Sequence, residues 1–523
     1  MKYLRLAVWL IVGFFGGSLL MNIALYAARF AGHPIWPAWL LPLQVAGEVL
    51  GAFSGYLWWR FKNRPLRSDV HGSAHFQGAK ITRATLGVSR GLIVGRDRRG
   101  ELLRYDGPAH LLTIAPTRSG KGVGAIIPNL LTTDYSILCI DPKGENARIT
   151  ARARALRGPV HVLDPFGISG EPCAAFNPLS RLDPAGVDLA EDAAMIADAL
   201  VYDPPGQVSE AHWNEEARAL IAGLILHIVT NRSPAHRSLA AVRALLTTTP
   251  EKFDQALFDM QGSYAARGLV ARAANRHLSK SEREGAGVLS AAQRHTHFLD
   301  SPRMVRVLQK SDFAFSDLKR GPTSVFLVLP PERLATHARW LRLLVVQAIG
   351  ELAQTQAKDA PPPHPVLMML DEFAALGRVE PVERAFALMA GYGLQLWAIL
   401  QDLHQLKGLY GEQAGSFLSN AGLIQVFNVA DIDTATWVSR TLGAATEVFN
   451  TMSWAERPES RPWWRSYTPT TTLNLSRRDL MTPDEVMRLG QEELLLLRPG
   501  MSPVVAQKVR YYRDQQFAGL FDA

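Results

Sequence analysis

The chain changes rhythm several times between its ends, and each rhythm predicts a different kind of element. Residues 6–28 carry no charged side chain, and residues 35–59 are interrupted only by Gln44 and Glu48. A helix needs about 20 predominantly apolar residues to cross a bilayer, so the two stretches predict a hairpin of membrane-spanning helices. Trp36 and Trp39 at one end of the second stretch, and Trp58 and Trp59 at the other, stand where interfacial aromatic belts form. A cleaved signal peptide would show an apolar core of about 7–15 residues and no second span, which is not this pattern. Glu48 fits an intramembrane function or a hydrogen bond across the hairpin or to a neighbouring subunit, with the structural reading favoured.

Beyond the anchor, short apolar runs bounded by turn residues predict buried strands at 110–114, 136–140, 160–163, 324–329, 366–370, 394–400 and 423–427. Helices are expected at 123–131 and 146–156, and strands alternating with helices in this order make a parallel sheet. From about 188 to 320 the period turns helical without a convincing strand. Trp213, Ala217, Leu220, Leu224 and Ile228, for instance, fall on one helical face. The fold class expected is therefore α/β, with an all-α domain inserted into it. Residues 70–105 read as a few strands leading into the sheet. Residues 453–472, rich in Pro, Arg, Ser and Thr, read as a long surface loop. Its Trp463 and Trp464 fit a stacking platform for single-stranded nucleic acid or, as favoured, a solvated loop or subunit contact.

Composition excludes a disordered chain, since 47% of the 523 residues are hydrophobic and only 20% charged. A net charge of +8 suggests phosphate-rich partners until it is divided along the chain. Seven Lys and Arg against Glu48 and Asp69 put +5 within residues 1–70 and leave +3 for the rest. Lys2 and Arg5 precede the first span, and Arg60, Lys62, Arg64 and Arg67 follow the second, which places both ends on the cytoplasmic side. Net charge is then an orientation signal and no evidence about nucleic acid. Two cysteines, Cys139 and Cys173, exclude a disulfide framework. The absence of H-E-x-x-H, G-x-S-x-G and paired C-x-x-C leaves zinc proteases, serine hydrolases and zinc modules unsupported.

The chemistry gathers at strand ends. A phosphate-binding loop needs a tight glycine turn whose N–H groups point inward at a helix N-terminus, plus a lysine for the β and γ phosphates. Ala115-Pro-Thr-Arg-Ser-Gly120-Lys121-Gly122 has that layout after one strand and before a helix. Against the generic G-x-x-x-x-G-K-[ST] it has Ala115 for the first glycine and Gly122 for the magnesium-binding hydroxyl. Pro116, Thr117, Arg118, Ser119, Gly120, Lys121, Gly122 and Val123 are the expected nucleotide-binding residues. The strand 366–370 ends in Asp371-Glu372, and two acids at the tip of a buried strand are exceptional. Asp371 there suits Mg²⁺ held through water, and Glu372 suits a base for the attacking water. Gln401 tips strand 394–400, where it would touch the γ-phosphate or the water, or serve as a plain turn residue. Asp141-Pro-Lys-Gly144 and Asp164-Pro165-Phe166-Gly167 end two more strands, and there catalytic support and turn formation stand level. Arg440 is one candidate for an arginine supplied to a neighbouring subunit's site.

Taken in order, these residues resemble the coupling-protein ATPases of type IV secretion, the TraG-type proteins of conjugation systems. The resemblance rests on the two-span N-terminus, His71-Gly-Ser-Ala74, and the phosphate loop continued to Gly124 with Ile127-Pro-Asn-Leu-Leu131. It continues through Asp141-Pro-Lys-Gly-Glu145, Phe176-Asn-Pro-Leu179, Leu370-Asp-Glu-Phe373 with Leu376-Gly377, and Gln401-Asp-Leu-His-Gln405 with Tyr410-Gly411. It closes with Arg477-Arg-Asp-Leu480 and Thr482-Pro-Asp-Glu485. What it implies is a RecA-like P-loop NTPase domain with an inserted all-α domain, using ATP and Mg²⁺, as a homo-hexamer in the bacterial inner membrane with most of the chain in the cytoplasm. Lys121 would be the phosphate lysine, Asp371 the magnesium carboxylate, Glu372 the catalytic base and Gln401 the sensor. Thr117, Ser119 or water would replace the hydroxyl missing at Gly122.

The domains expected are an anchor at 1–68, a nucleotide-binding domain at 69–180 and 320–523, and the all-α insertion at 181–319, facing the cytoplasm to receive substrates. Because the last motif lies near Ala523, the C-terminal extension some relatives use for substrate choice is expected to be absent. The partners implied are channel components of a type IV secretion system and, as cargo, relaxase-bound DNA or effector proteins, between which no residue decides. An ATPase that recruits and delivers such cargo is the favoured function. The alternatives are a nucleotide-binding receptor platform with little turnover and a membrane-tethered DNA translocase for chromosome segregation.

Overall fold

Continuous apolar runs are what strands need when both sheet faces are covered, and in a computed structural model of the chain those runs make the middle of one sheet. The structure describes residues 2–32, 37–62, 69–202, 211–354, 364–456 and 467–522. The strands are β1 (Leu92–Arg96), β2 (Leu102–Tyr105), β3 (His110–Ile114), β4 (Ile137–Asp141), β5 (Val160–Leu163), β6 (Ser324–Val328), β7 (Val366–Leu370), β8 (Leu394–Leu400), β9 (Ala421–Val426), β10 (Ala444–Glu456), β11 (Tyr467–Asp479), β12 (Glu493–Leu497) and β13 (Val504–Gln507). Eleven of them form one sheet in the order β2-β1-β13-β12-β9-β3-β8-β7-β4-β6-β5. The seven from β9 to β5 run parallel, and β12, β13, β1 and β2 extend the sheet antiparallel.

The two-residue period of each strand divides the core. Leu112, Leu138, Met368 and Leu396 face one layer, while Leu111, Cys139, Leu367 and Trp397 face the other. A buried polar relay crosses between strands: Trp397 Nε1 donates to Thr113 Oγ1 at 2.8 Å, Thr113 Oγ1 to Gln425 Oε1 at 2.7 Å, and Gln425 Nε2 to the Val94 carbonyl at 2.9 Å. Asn129 of the Ile127–Leu131 motif exchanges hydrogen bonds with the backbone N–H and carbonyl of Ile93, which fastens β1 over the helix Ile127–Thr132.

Between β5 and β6 no strand occurs among the described residues; seven helices of six residues or more fill the interval, from Leu189–Leu200 to Pro302–Val307. Asn177 holds the entry and exit of this insertion together, its amide donating to the carbonyls of Arg237 and Gln309. The helix Ala211–Asn231 carries the expected face, with Ala217, Leu220, Leu224 and Ile228 buried. Ile221, Ile225, Leu226 and Val229 are buried as well, so its second half is enclosed all round rather than on one side.

Three expectations need correction. Residues 70–105 contain the helix Ala79–Leu86 besides β1 and β2. The helix expected at 123–131 opens as a π-helical turn, Gly122–Ile126, before Ile127–Thr132. Pro128 has no N–H to bond the carbonyl four residues back, and such turns are common at functional sites. Within 453–472, residues 453–456 and 467–472 are strand, because Thr and aromatic side chains suit a solvated pleated ribbon even without an apolar period. Trp463 and Trp464 lie outside the described residues.

By its internal contacts the chain divides into two units, 74–443 with 479–523 and 1–73 with 444–478. The first holds the sheet and the helical insertion. In the second, the helices Lys2–Phe30 and Pro37–Lys62 contain two stretches, Leu6–Phe30 and Trp39–Phe61, long and apolar enough to cross a membrane. Glycines let them touch: a Cβ at Gly13, Gly17, Gly51 or Gly55 would overlap a backbone carbonyl of the other helix. Ser18 Oγ donates to Glu48 Oε1 at 3.2 Å across the hairpin, the structural role expected of Glu48. In the same unit β10 and β11 pair as a two-stranded ribbon rooted on the His71-Gly-Ser motif. There the Gly72 carbonyl accepts from Thr446 N–H at 3.1 Å and Ser73 bridges Ala445.

Candidate functional site

β3 lies between β9 and β8, and the loop that follows it emerges at the carboxyl edge of the parallel strands, where open α/β sheets bind ligands. Ala115 N–H still bonds the Leu400 carbonyl at 2.8 Å, so the loop starts from a fixed point. It turns through Arg118 at φ +63° and Gly120 at φ +93°, and Gly124 N–H closes on the Gly120 carbonyl at 2.8 Å to open the helical turn. A Cβ at Gly120 would strike the Arg510 guanidinium. At Gly122, by contrast, a Cβ would meet nothing within 4 Å, so packing does not require glycine there.

β7 brings two acids to the loop, and β8, which lies between β7 and β3, brings Gln401. Lys121 Nζ lies 2.8 Å from Asp371 Oδ1 and 2.9 Å from Glu372 Oε1. Gln401 Nε2 donates to the other Glu372 oxygen at 3.1 Å. Gln401 is itself aimed by Gln405, whose side-chain carbonyl accepts the Gln401 backbone N–H at 3.0 Å, and Asp402 caps the helix Leu403–Tyr410 by accepting Gln405 N–H at 2.9 Å. Glu372 sits at φ +51°, a left-handed conformation that costs about 1–3 kcal/mol for a residue with a side chain.

Electrostatically the cluster shares one ammonium between two carboxylates. Burial alone would depress the Lys121 ammonium, but Asp371 and Glu372 outweigh it and hold its pKa above the ordinary value. Burial pushes the Asp371 pKa up, with Lys121 pulling the other way. Asp141, at the tip of β4, is pushed up to about 7 by burial, partly opposed by hydrogen bonds including Ala147 N–H at 2.9 Å. Asp164 accepts from the N–H groups of Phe166, Gly167 and Ser169 and from Ser169 Oγ, which is turn formation.

Lys121, Asp371, Glu372 and Gln401 thus meet in one cluster. Pro116, Thr117, Arg118, Ser119, Gly120, Gly122 and Val123 form the loop and the helix start beside it, with Thr117 and Arg118 exposed. Arg440 is exposed on the helix Ile432–Leu442 and makes no hydrogen bond or ion pair with the cluster. The hydroxyl of Ser119 is buried and has no hydrogen-bond partner. Together with Asp371, which lies against Lys121 two residues along the loop, it fits the one or two protein oxygens that a Mg²⁺–nucleotide complex takes besides the phosphates and water. No cluster of three or more His, Cys, Asp or Glu suited to a metal occurs among the described residues.

Sequence spacing gave no hint of a second group. Lys508, just past β13, donates from Nζ to the Ser119 carbonyl at 2.8 Å and to Asn428 Oδ1. Arg510 pairs with both oxygens of Glu492 at 3.1 and 3.0 Å. Both come from a stretch almost 400 residues beyond the loop, and isolated cations carry no motif.

A RecA-like nucleotide-binding domain with an inserted helical domain, preceded by two N-terminal apolar helices, is the class this fold and site define. The family model for conjugative DNA transfer by the type IV secretory system matches residues 73–520, and the chain belongs to that family. It is 31% identical over 426 residues to a conjugal transfer protein TraG of Escherichia coli, covering 77% of this chain and 66% of that one. To protein VirD4 of Agrobacterium fabrum it is 29% identical over 440 residues, covering 81% and 62%. The chain therefore spans somewhat under two thirds of the length of these relatives. Among solved structures, the plasmid coupling protein TrwB in complex with ADP and Mg²⁺ superimposes with a TM-score of 0.62 at 16% identity, covering 84% of this chain and 93% of that one. TrwB bound to a non-hydrolysable ATP analogue gives 0.63, also at 16% identity, covering 86% and 96%.

Proposed function

We propose that this protein is an ATPase of the bacterial inner membrane that recruits substrates, relaxase-bound DNA or effector proteins, and couples them to a type IV secretion channel. The observation that carries the reading is the placement of Lys121 between Asp371 and Glu372, with Gln401 on the free oxygen of Glu372. Family membership and the nucleotide complexes of TrwB support the same chemistry.

In this reading the N–H groups of Gly120 to Val123 receive the phosphates of ATP at a helix start, and Lys121 leaves the carboxylates for the β and γ oxygens. Asp371 and Ser119 would hold Mg²⁺, which supplies charge neutralisation at the phosphates as they accept the leaving charge. Glu372, freed of Lys121, takes the proton of the water that attacks the γ-phosphorus, while Gln401 keeps the carboxylate and that water in line. Both helices of the anchor span the membrane, the bulk of the chain lies in the cytoplasm, residues 181–319 receive substrate, and six copies form a ring.

The test is phosphate release by the purified full chain. Lys121→Ala and Glu372→Gln are expected to lower kcat by at least ~100-fold, about 2.7 kcal/mol of transition-state stabilisation. Glu372→Gln should still bind ATP. Rates unchanged in both variants would overturn the assignment.

A further inference from the structure

The segment after β13 crosses directly over the phosphate loop. A Cβ at Gly120 would come within 2.8 Å of an Arg510 guanidinium nitrogen, and one at Gly124 within 3.1 Å of the Val509 carbonyl. Lys508 is only 5% exposed, yet its acceptors are neutral: the Ser119 carbonyl, Asn428 Oδ1 and, at 5.2 Å, the face of Phe427. Among the described residues no carboxylate lies within ion-pair distance of it. A buried cation without a counter-ion is costly, and the cost falls when an anion binds beside it. Here the charges divide by side. Toward β7 one ammonium serves two carboxylates, whereas toward β13 Lys508 and Arg510 have Glu492 alone. The first side suits a divalent cation and the second a polyphosphate.

We propose that Lys508 and Arg510 form a clamp on the phosphate loop from within the same chain. Lys508 is a positioning residue that fixes the loop through the Ser119 carbonyl, and Arg510, held over Gly120 by Glu492, contacts the bound nucleotide's phosphates. The clamp rests on the nucleotide-binding reading given above and adds residues to it.

Equilibrium binding of a fluorescent ATP analogue to the purified full chain, with melting without nucleotide as a fold control, tests it. Lys508→Ala and Arg510→Ala are expected to weaken binding about 10-fold each, and Lys508→Arg to restore it to within about 3-fold. Arg510 is 21% exposed on its side chain, so its variant should fold even where Lys508→Ala does not. Wild-type affinity in Arg510→Ala, or in Lys508→Ala with an unchanged melt, would overturn the clamp. So would an affinity loss in Lys508→Ala that Lys508→Arg does not repair. If the unaltered protein bound no nucleotide, or Lys121→Ala bound it equally well, the broader reading would fail instead, a distinguishable result.

Discussion

Ser119 is the residue on which the departure from the generic phosphate loop turns. The chain has Gly122 where a hydroxyl is usual, and the buried, unpartnered Oγ of Ser119 lies three residues away. An unsatisfied buried hydroxyl costs about 1–3 kcal/mol, so Ser119→Ala should leave the nucleotide-free protein as stable as before or more so. The same substitution should weaken Mg²⁺-dependent ATP binding by about 5–10-fold, whereas Gly122→Thr, with open space at its Cβ, should bind within about 3-fold of the parent. Isothermal titration with and without Mg²⁺ reads both effects; an unaffected Ser119→Ala would return the role to Thr117 or water. At this scale the acids were legible because Asp371 and Glu372 tip an apolar strand, an anomaly visible without coordinates. Ser119 could be named only as one alternative, since burial decides between it and Thr117. Lys508 and Arg510 were not legible, because their meaning depends on where β13 returns in the sheet.

Elements show the same division. The seven parallel strands could be read because strands covered on both faces are mostly apolar on both, with a few buried polar residues such as Thr113 and Gln425 that pair with each other. β12 and β13 were not: a leucine run such as Leu494–Leu497 fits helix and strand alike, and its pairing with β9 is a long-range choice. The ribbon of β10 and β11 was hidden for the opposite reason, being solvated on both faces with Phe449, Met452 and Trp454 exposed. In the inserted helices the helical period was legible but the buried polar network was not. His295 is fully enclosed, with Nε2 2.7 Å from Asn214 Oδ1 and Nδ1 3.2 Å from an Arg339 guanidinium nitrogen. A neutral ring protonated on Nε2 satisfies both contacts. Burial, then the charges of Arg339, Arg294 and Arg218, push its pKa down to about 3. Below pH 6.5 the unfolded chain therefore binds the extra proton, and stability falls with pH by up to ~1.4 kcal/mol per unit. Between pH 7.5 and 5 this histidine should cost the protein about 2 kcal/mol, and His295→Gln should remove that part of the acid sensitivity. Parallel acid shifts in the melting of both proteins would contradict it.

On the scale of the whole molecule, net charge was the least informative property and its distribution among the more useful. The +5 gathered in residues 1–70 fits an anchor with cytoplasmic flanks, and the remaining +3 says nothing about cargo. The glycines at four-residue spacing, Gly13 with Gly17 and Gly47 with Gly51 and Gly55, were a signal open to reading that only the packing brought out. The central claim is that hydrolysis at the Lys121–Asp371–Glu372–Gln401 cluster drives delivery of substrate to a secretion channel. Its most direct test is the frequency of substrate transfer from cells whose only copy of this chain carries Glu372→Gln, made at normal level in the membrane. The account predicts transfer reduced at least ~100-fold, in step with the loss of ATP hydrolysis. Transfer at the unaltered frequency, with hydrolysis abolished in the same variant, would contradict it.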